Sequence, residues 1–317
     1  MTPNVLEEIR GLICDYDNIY ITSHINPDGD AVGACFGLGL ALEKLGKNVQ
    51  VMLEPYQSRF DIIPGRHLLG DKMFAGDSIL ICLDCADVNR LIQGGRAVAA
   101  TVNIVVNIDH HYTNTNFANI NYVDGNASST CEMVYRLLDT FVEADRNIAS
   151  ALYAGMVSDT GGFRFSSVSE DTLAITAKLV ALDIPFTDIY VELMHKRSFT
   201  ELKLMGRVLD SAQLSDDGRI IHVCVSQAMM KGFKGAPDAE SRDAEGLVEF
   251  MLNVSGVEIA VLLYEKENGE IKVSLRSRSA NVGDVAVKLG GGGHHLAAGA
   301  NVTGDIYGIR EQVLSLL

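Results

Sequence analysis

Asp109-His110-His111 closes an apolar, β-branched stretch, Asn103-Ile-Val-Val-Asn-Ile108. That stretch reads as a buried strand. In open α/β sheets function collects at the carboxyl ends of strands, and all three terminal side chains can bind metal or move protons. A second group, His24-Ile-Asn-Pro-Asp28-Gly-Asp30, sits between an apolar strand and a Gly/Ala/Leu-rich helix. Pro27 disfavours a helical Asn26 and Gly29 permits an unusual backbone turn, so the loop can aim His24, Asp28 and Asp30 at one place. Asp84 follows the strand-like Ser78-Ile-Leu-Ile-Cys-Leu83. Asp159 ends an apolar helix in Met156-Val-Ser-Asp-Thr-Gly-Gly-Phe-Arg164. The helix dipole disfavours negative charge there, and a nearby cation would resolve the conflict.

Each signal alone has a plainer reading. Asp30 would cap the helix that follows it, Asp84 would serve a turn, and Asp159 would cap the next segment. Taken together, His24, Asp28, Asp30, Asp84, His110 and Asp159 make two histidines and four carboxylates at loop or strand ends. That set is too large for one zinc and too rich in nitrogen for calcium. It suits two divalent ions of the Mn²⁺ kind with one carboxylate bridging. Two such ions roughly 3.5–4 Å apart bind a hydroxide between them and clamp a phosphoryl group for in-line displacement.

The elements that must position these residues alternate between strand and helix. Strands are expected at Asn18–His24, Asn48–Leu53, Ser78–Leu83 and Val102–Ile108, with a short edge strand at Asn119–Val123. A helix is expected over Ala31–Leu45, and helical spacing dominates from Ser129 to His195. The fold class is therefore α/β: a mainly parallel N-terminal sheet flanked by helices, plus a smaller C-terminal α/β unit. The boundaries are 1–190 for the first domain, 191–214 for a helical linker and 215–317 for the second domain. Gly33, Gly37 and Gly39 lack dinucleotide spacing and are expected to let the first helix approach the sheet. In the second domain, Glu267-Asn-Gly269 joins two strands as a hairpin. Arg276 ends the second of them, where it could grip a phosphate bidentately. In the run Gly290-Gly-Gly-Gly-His294 the backbone N–H groups of Gly292 and Gly293 can approach a phosphate closely, and His294 can donate to it.

Composition bounds the partners. A net charge of −15, from 26 basic and 41 acidic residues, argues against a broad surface for long duplex DNA. No apolar run approaches the ~20 residues of a membrane helix, and no signal peptide is visible, so a cytoplasmic location without membrane attachment is expected. Six cysteines without framework spacing fit a reducing compartment. Cys82-Leu-Asp-Cys85 lacks a second pair for zinc and falls on a strand, so its thiols are expected to be buried. Neither a Gly-x-Ser-x-Gly elbow nor a Walker loop is present.

The four N-terminal motifs, in this order, resemble the DHH phosphoesterase superfamily, which takes its name from the residues found here as Asp109-His110-His111. The stretch Gly291-Gly-Gly-His-His-Leu-Ala-Ala-Gly299 resembles the DHHA1 domain of one branch. The two resemblances cover nearly the whole chain, and its size is most similar to the NrnA group of bifunctional nano-RNases and 3′-phosphoadenosine 5′-phosphate (pAp) phosphatases. The resemblance implies that His24, Asp28 and Asp84 hold one metal and that Asp30, Asp84, His110 and Asp159 hold the other, with Asp84 bridging. It implies that His111 faces the substrate phosphate and that Asp109 orients a neighbouring histidine. Ala34 stands where many members have serine, which puts no ligand in doubt. The implied substrates are short single-stranded RNAs of about two to five nucleotides and pAp, received in a cleft between the domains and released as 5′-mononucleotides. The rival readings are a phosphodiesterase for pApA or cyclic di-AMP, an inorganic pyrophosphatase, a RecJ-type exonuclease and a non-catalytic nucleotide-binding protein. A homodimer is left open.

Overall fold

A computed structural model of the chain describes residues 3–230, 242–293 and 295–317. It divides into two compact units, Met1–Lys196 and Arg197–Leu317. In chain order the first unit contains α1 (Pro3–Asp15), β1 (Asn18–Thr22), α2 (Gly29–Lys44), β2 (Asn48–Met52), β3 (Ser78–Leu83), α3 (Gln93–Ala99), β4 (Ile104–Asp109), β5 (Ile120–Val123), α4 (Thr130–Leu138), α5 (Arg146–Asp159), α6 (Glu170–Val180) and α7 (Phe186–Tyr190). The second contains α8 (Phe199–Asp210), β6 (Gln213–Leu214), β7 (Ile220–Val225), α9 (Gln227–Met230), α10 (Arg242–Leu252), β8 (Ile259–Glu265), β9 (Glu270–Ser277), α11 (Val282–Lys288), β10 (Gly292–Gly293), β11 (Ala297–Thr303) and α12 (Ile306–Ser315).

Among the described residues, the first unit's sheet has five strands in the order β2-β1-β3-β4-β5, all parallel. Its strands show why helices must cover both faces. Ile19, Ile21, Ile79, Ile81 and Leu83 enter the large core with α2, α4 and α5. The alternate residues Tyr20, Leu80 and Cys82 pack on the opposite face with Leu91 and Val98. Period-two alternation with both sets apolar is what a doubly covered parallel sheet requires. Cys82 and Cys85 are both buried, and burial pushes the Cys85 thiol up to about 12.

The glycines of α2 do more than bring helix to sheet. A Cβ on Gly33 would fall 2.6 Å from the Ala151 carbonyl oxygen, and one on Gly37 would fall 2.5 Å from Leu152 Cδ2, both on α5. Gly39 alone of the three faces the sheet, toward Val51 and Ile21. Two of these glycines therefore serve helix–helix contact, and they draw α5, with Asp159 at its end, against α2.

The strand order places a switch point between β1 and β3, whose connections lead outward in opposite directions, and ligands bind there in such sheets. Thr22 pairs with Cys82 across this seam. His24 and Asp84 therefore emerge side by side, two residues further on.

Among its described residues, the second unit has a six-stranded sheet in the order β10-β11-β9-β8-β7-β6, mixed in direction, with only β7 and β8 parallel. The segment 191–214 is divided in use: α8 packs Leu204 and Val208 into this unit's core with Val223, Leu247 and Leu262, and Gln213–Leu214 joins its sheet. The β8–β9 hairpin closes over the three residues Glu267-Asn-Gly269. Lys266 N donates to Glu270 O and Gly269 N donates to Lys266 O, with Gly269 in the left-handed region at φ +81°, the arrangement of three-residue hairpins. None of the described helices is long and apolar enough to cross a membrane.

Candidate metal centre

The eight residues of the first unit that chemistry singled out, Asp28 and Asp30 at the start of α2 among them, meet at the carboxyl end of the parallel sheet. His24 and Asp84 leave β1 and β3, Asp109 ends β4, His110 and His111 follow it, and Asp159 ends α5. His24 Nε2 lies 3.4 Å from Asp84 Oδ2 and 3.9 Å from Asp28 Oδ2. His110 Nε2 lies 3.7 Å from Asp84 Oδ1 and 3.3 Å from Asp159 Oδ2. Three overlapping groups of donor atoms, each within 4.8 Å of one another, result: His24/Asp28/Asp84, Asp84/His110/His111 and Asp30/His110/Asp159. These acidic and histidine groups can hold metal.

Local structure fixes how each is presented. Asp84 sits at φ +55°, an uncommon conformation for a residue other than glycine that Asp and Asn tolerate best. Its amide donates to Ile108 O at 3.0 Å, which ties this turn to the neighbouring β4. Asn26, not Gly29, takes the left-handed turn of the first loop, at φ +54°. Gly29 instead opens α2, where a Cβ would fall 2.3 Å from Ser158 Oγ. The cap of α2 is Asp28, whose Oδ1 accepts from Asp30 N and Ala31 N, so its Oδ2 remains for the site. Asp30 caps a different helix from that of the plainer reading. It is fully buried, and it accepts from Thr130 N at 2.6 Å and Cys131 N at 3.0 Å, the first turn of α4. The helix after Asp159, α6, is capped by Ser169 and not by Asp159.

The histidines are held by one nitrogen and offered by the other. His24 Nδ1 lies 2.7 Å from Ile25 O and His110 Nδ1 3.4 Å from Ala127 O. A carbonyl can only accept, so Nδ1 carries the proton and Nε2 is left basic, as metal-ligating imidazoles require. His111 Nδ1 lies 2.7 Å from Asp109 Oδ1, and Asp109 is fully buried. His111 is thus bound to a carboxylate where the other two are bound to carbonyls.

The electrostatics are those of a site that lacks positive charge. Burial opposes protonation of His24, yet the hydrogen bond and charge of Asp84, joined by Asp28, hold its pKa up to about 9. Burial and the Asp84 charge push Asp30 up to about 7. Burial and the charges of Asp30, Asp84 and Asp28 raise Asp159 well above the carboxylate range. Burial also works against the Asp84 anion, but His24, His110 and His111 hold it below its ordinary value. Carboxylates of raised pKa beside imidazoles mark a site built for added positive charge. The donors fit divalent metal: the two unencumbered imidazole nitrogens and the carboxylate oxygens converge, and Asp84 turns one oxygen to each side.

Residues that carried no motif complete the site. Thr130 Oγ1 donates to Asp84 Oδ1 at 3.1 Å. Asn107 and Asn114 join the Asp84 turn to Asp109 through side-chain amides. Glu132 is buried and bound by Ser128 N and Oγ, Thr172 Oγ1 and Arg136, which secures the segment leading from Ala127 into α4. The Asn107 side chain lies inside an apolar strand, where a polar residue among β-branched neighbours was the available signal. Glu132 was visible only as one helical acid among several.

In the second unit, Arg276 is half-buried, with Nε 3.8 Å from Glu249 Oε1. The glycine run is ordered pairing rather than open loop: Gly292 and Gly293 pair with Gly299 and Ala298. A Cβ on Gly291 would fall 2.1 Å from Gly299 O, and Gly293 lies at φ +143° with Ala298 close by. Gly292 is exposed and has open space where a Cβ would stand. His294 lies outside the described residues.

Residues 18–156 match the DHH family N-terminal domain and residues 221–316 match the DHHA1 domain. The chain is similar to the bifunctional oligoribonuclease and PAP phosphatase NrnA of Thermus thermophilus, 33% identical over 93% of this chain and 88% of that protein. It is also similar to the protein of the same name from Bacillus subtilis, 28% identical over 93% of this chain and 92% of that one. Among solved structures, an exopolyphosphatase-related protein from Bacteroides fragilis superposes with a TM-score of 0.89 at 27% identity, covering 99% of this chain and 96% of that one. Two domain matches in the expected order and a relative one-third identical along most of both chains lead to one conclusion: the protein belongs to the DHH family and carries a DHHA1 domain in its second unit.

Proposed function

We propose that this chain is a metal-dependent phosphoesterase that hydrolyses short oligoribonucleotides and pAp. The observation that carries this reading is the division of Asp84, one oxygen facing His24 and the other facing His110. His24, Asp28 and Asp84 would hold one divalent ion, and Asp30, Asp84, His110 and Asp159 would hold a second. Mixed imidazole and carboxylate donors favour Mn²⁺. When bound, two such ions supply an activated water and neutralise charge on the phosphoryl oxygens.

The chain's own residues do the rest. Asp109 holds the His111 proton at Nδ1 and leaves Nε2 for the substrate phosphate. Arg276, Gly292, Gly293 and His294 of the second unit are assigned to nucleotide recognition, through guanidinium and backbone N–H donors to phosphate. Positioning and charge neutralisation account for the rate without a covalent intermediate. The names of the relatives, oligoribonuclease and PAP phosphatase, support the substrate class.

The test is turnover by the Mn²⁺-loaded protein of a panel: pAp, pApA, cyclic di-AMP, pyrophosphate and single-stranded RNAs from dinucleotides upward. Release of 5′-mononucleotides from the shortest RNAs and of phosphate from pAp is expected. Turnover of pyrophosphate alone would defeat the nucleotide reading, and preference for the longest strands would defeat the short-substrate one.

A further inference from the structure

A pair of side-chain amides, Asn107 buried and Asn114 half-buried, links the two halves of the centre. Asn107 is fully buried in β4, and its Nδ2 donates to the carbonyls of Cys82 and Cys85, both at 3.2 Å. Those carbonyls flank Leu83 and Asp84, so Asn107 braces the left-handed turn that presents Asp84. Asn107 Oδ1 accepts from Asn114 Nδ2 at 2.8 Å. The same Nδ2 donates to Asp109 Oδ2 at 2.6 Å and lies 3.3 Å from Cys85 O. Asp109 Oδ1 accepts from His111. Asn114 Oδ1 is engaged in turn by Asn116 N at 2.7 Å.

The chemistry forces this orientation. An ionised carboxylate only accepts, so the atom of Asn114 facing Asp109 is the nitrogen. Its two N–H bonds serve Asp109 and Asn107, which consumes its donors. Asn114 also closes the turn that begins at His111, its own amide donating to His111 O at 3.1 Å. One half-buried side chain thus meets the support of His111 and the support of Asp84 at once, and the acceptors it serves, Asp109 and Asn107, are fully buried, where an unpaired acceptor is costly.

We infer that Asn114 is a positioning residue, fixing His111 relative to Asp84 by holding Asp109 on one side and Asn107 on the other. The inference rests on the phosphoesterase reading for its effect on rate and on geometry alone for its effect on His111. The metal donors themselves keep other supports in an Asn114 variant. The Asp84 amide still bonds Ile108 O, Thr130 still bonds Asp84, and Asn107 still bonds both cysteine carbonyls.

The experiment is a double-mutant cycle joined to a spectroscopic readout. Asn114→Ala is expected to lower kcat about 10- to 100-fold, as loss of a supporting partner typically does, with KM and bound Mn²⁺ unchanged. In a His111→Ala background the same change should lower kcat by less than about twofold further, because the two residues act as one unit. Additive losses, or a loss confined to KM or to metal content, would overturn the proposal. Independently of turnover, the Nδ1–H resonance of His111 is followed in ¹⁵N-histidine-labelled, Mg²⁺-loaded protein and assigned by its absence in His111→Ala. It should shift or exchange away in Asn114→Ala, and an unmoved resonance would overturn the positioning role even if the substrate reading held. Absence of nucleotide turnover by the parent protein would sink the substrate reading and leave the resonance to decide. If Asn114→Ala is not recovered folded, Asn114→Ser, which keeps one donor, takes its place and should likewise shift the His111 resonance and lower kcat with KM and bound Mn²⁺ unchanged; an unmoved resonance would overturn the proposal.

Discussion

His24 Nε2 lies 3.4 Å from Asp84 Oδ2, although the two residues are sixty positions apart in the chain. The pair stands at the seam between β1 and β3, the one place in this sheet where adjacent strands send their connections in opposite directions. Asp84 Oδ1, the other oxygen of the same carboxylate, faces His110, His111 and Thr130.

Asp84→Asn is the direct test of that division. Asn tolerates the left-handed backbone at φ +55°, so the variant avoids the strain an alanine would add there. It is expected to lose at least one equivalent of bound metal by elemental analysis and to lower kcat/KM by about three orders of magnitude, on the scale at which electrostatic groups act in enzymes. Full metal content with near-normal turnover would rule out a bridging role.

The two adjacent histidines should separate cleanly. His110 offers Nε2 to Asp84 and Asp159, with Nδ1 toward a carbonyl, whereas His111 Nδ1 is bound to Asp109. His110→Ala is expected to weaken metal binding about 10- to 100-fold or more. His111→Ala should retain both ions and lower kcat. Equilibrium dialysis against Mn²⁺ beside steady-state kinetics distinguishes the two, and equal metal loss in both variants would contradict the assignment.

Metal affinity should rise with pH. In the metal-free site His24 holds its proton up to about 9 and Asp30 up to about 7. A cation must displace those protons, so binding is disfavoured at low pH, strengthens through neutrality and levels off above about 9. The slope at neutral pH should be at least roughly tenfold per unit, and calorimetry in buffers of different ionisation enthalpy should register proton release. A pH-independent affinity between pH 6 and 8 would show that these groups are not displaced.

The glycine run permits a separation of folding from binding. Gly291→Ala drives a methyl group against Gly299 O and Ala300 and should destabilise the second unit by about 2 kcal/mol or more, the scale of overpacking and strain. Gly292→Ala, in open space, should stay within about 0.5 kcal/mol of the parent in denaturant melts. If Gly292 receives substrate phosphate, its KM for pAp should nonetheless rise.

Arg276→Ala should raise KM several-fold and leave kcat and metal content nearly unchanged, because Arg276 belongs to the second unit and the metal donors belong to the first. A drop in kcat at constant KM would move Arg276 from recognition to the chemical step.

Much of this was legible in the sequence because it depends on local pattern. Alternating β-branched runs mark strands that need two covered faces. Gly, Pro and Asp at strand ends mark the loops, and His24, Asp28, Asp30, Asp84, His110 and Asp159 stand at strand or helix ends as residue types able to bind metal. What tertiary structure decided is which atoms are already spoken for. That Asp28 caps its own helix while Asp30 caps α4, that Gly33 faces α5 rather than the sheet, and that Asn107 and Asn114 join Asp84 to His111 are long-range facts. Each rests on a contact between segments whose separation in sequence carries no periodic signal. The two histidines of the tandem pair are alike in the chain, and only the structure tells them apart, by their Nδ1 partners, a carbonyl for one and a buried carboxylate for the other.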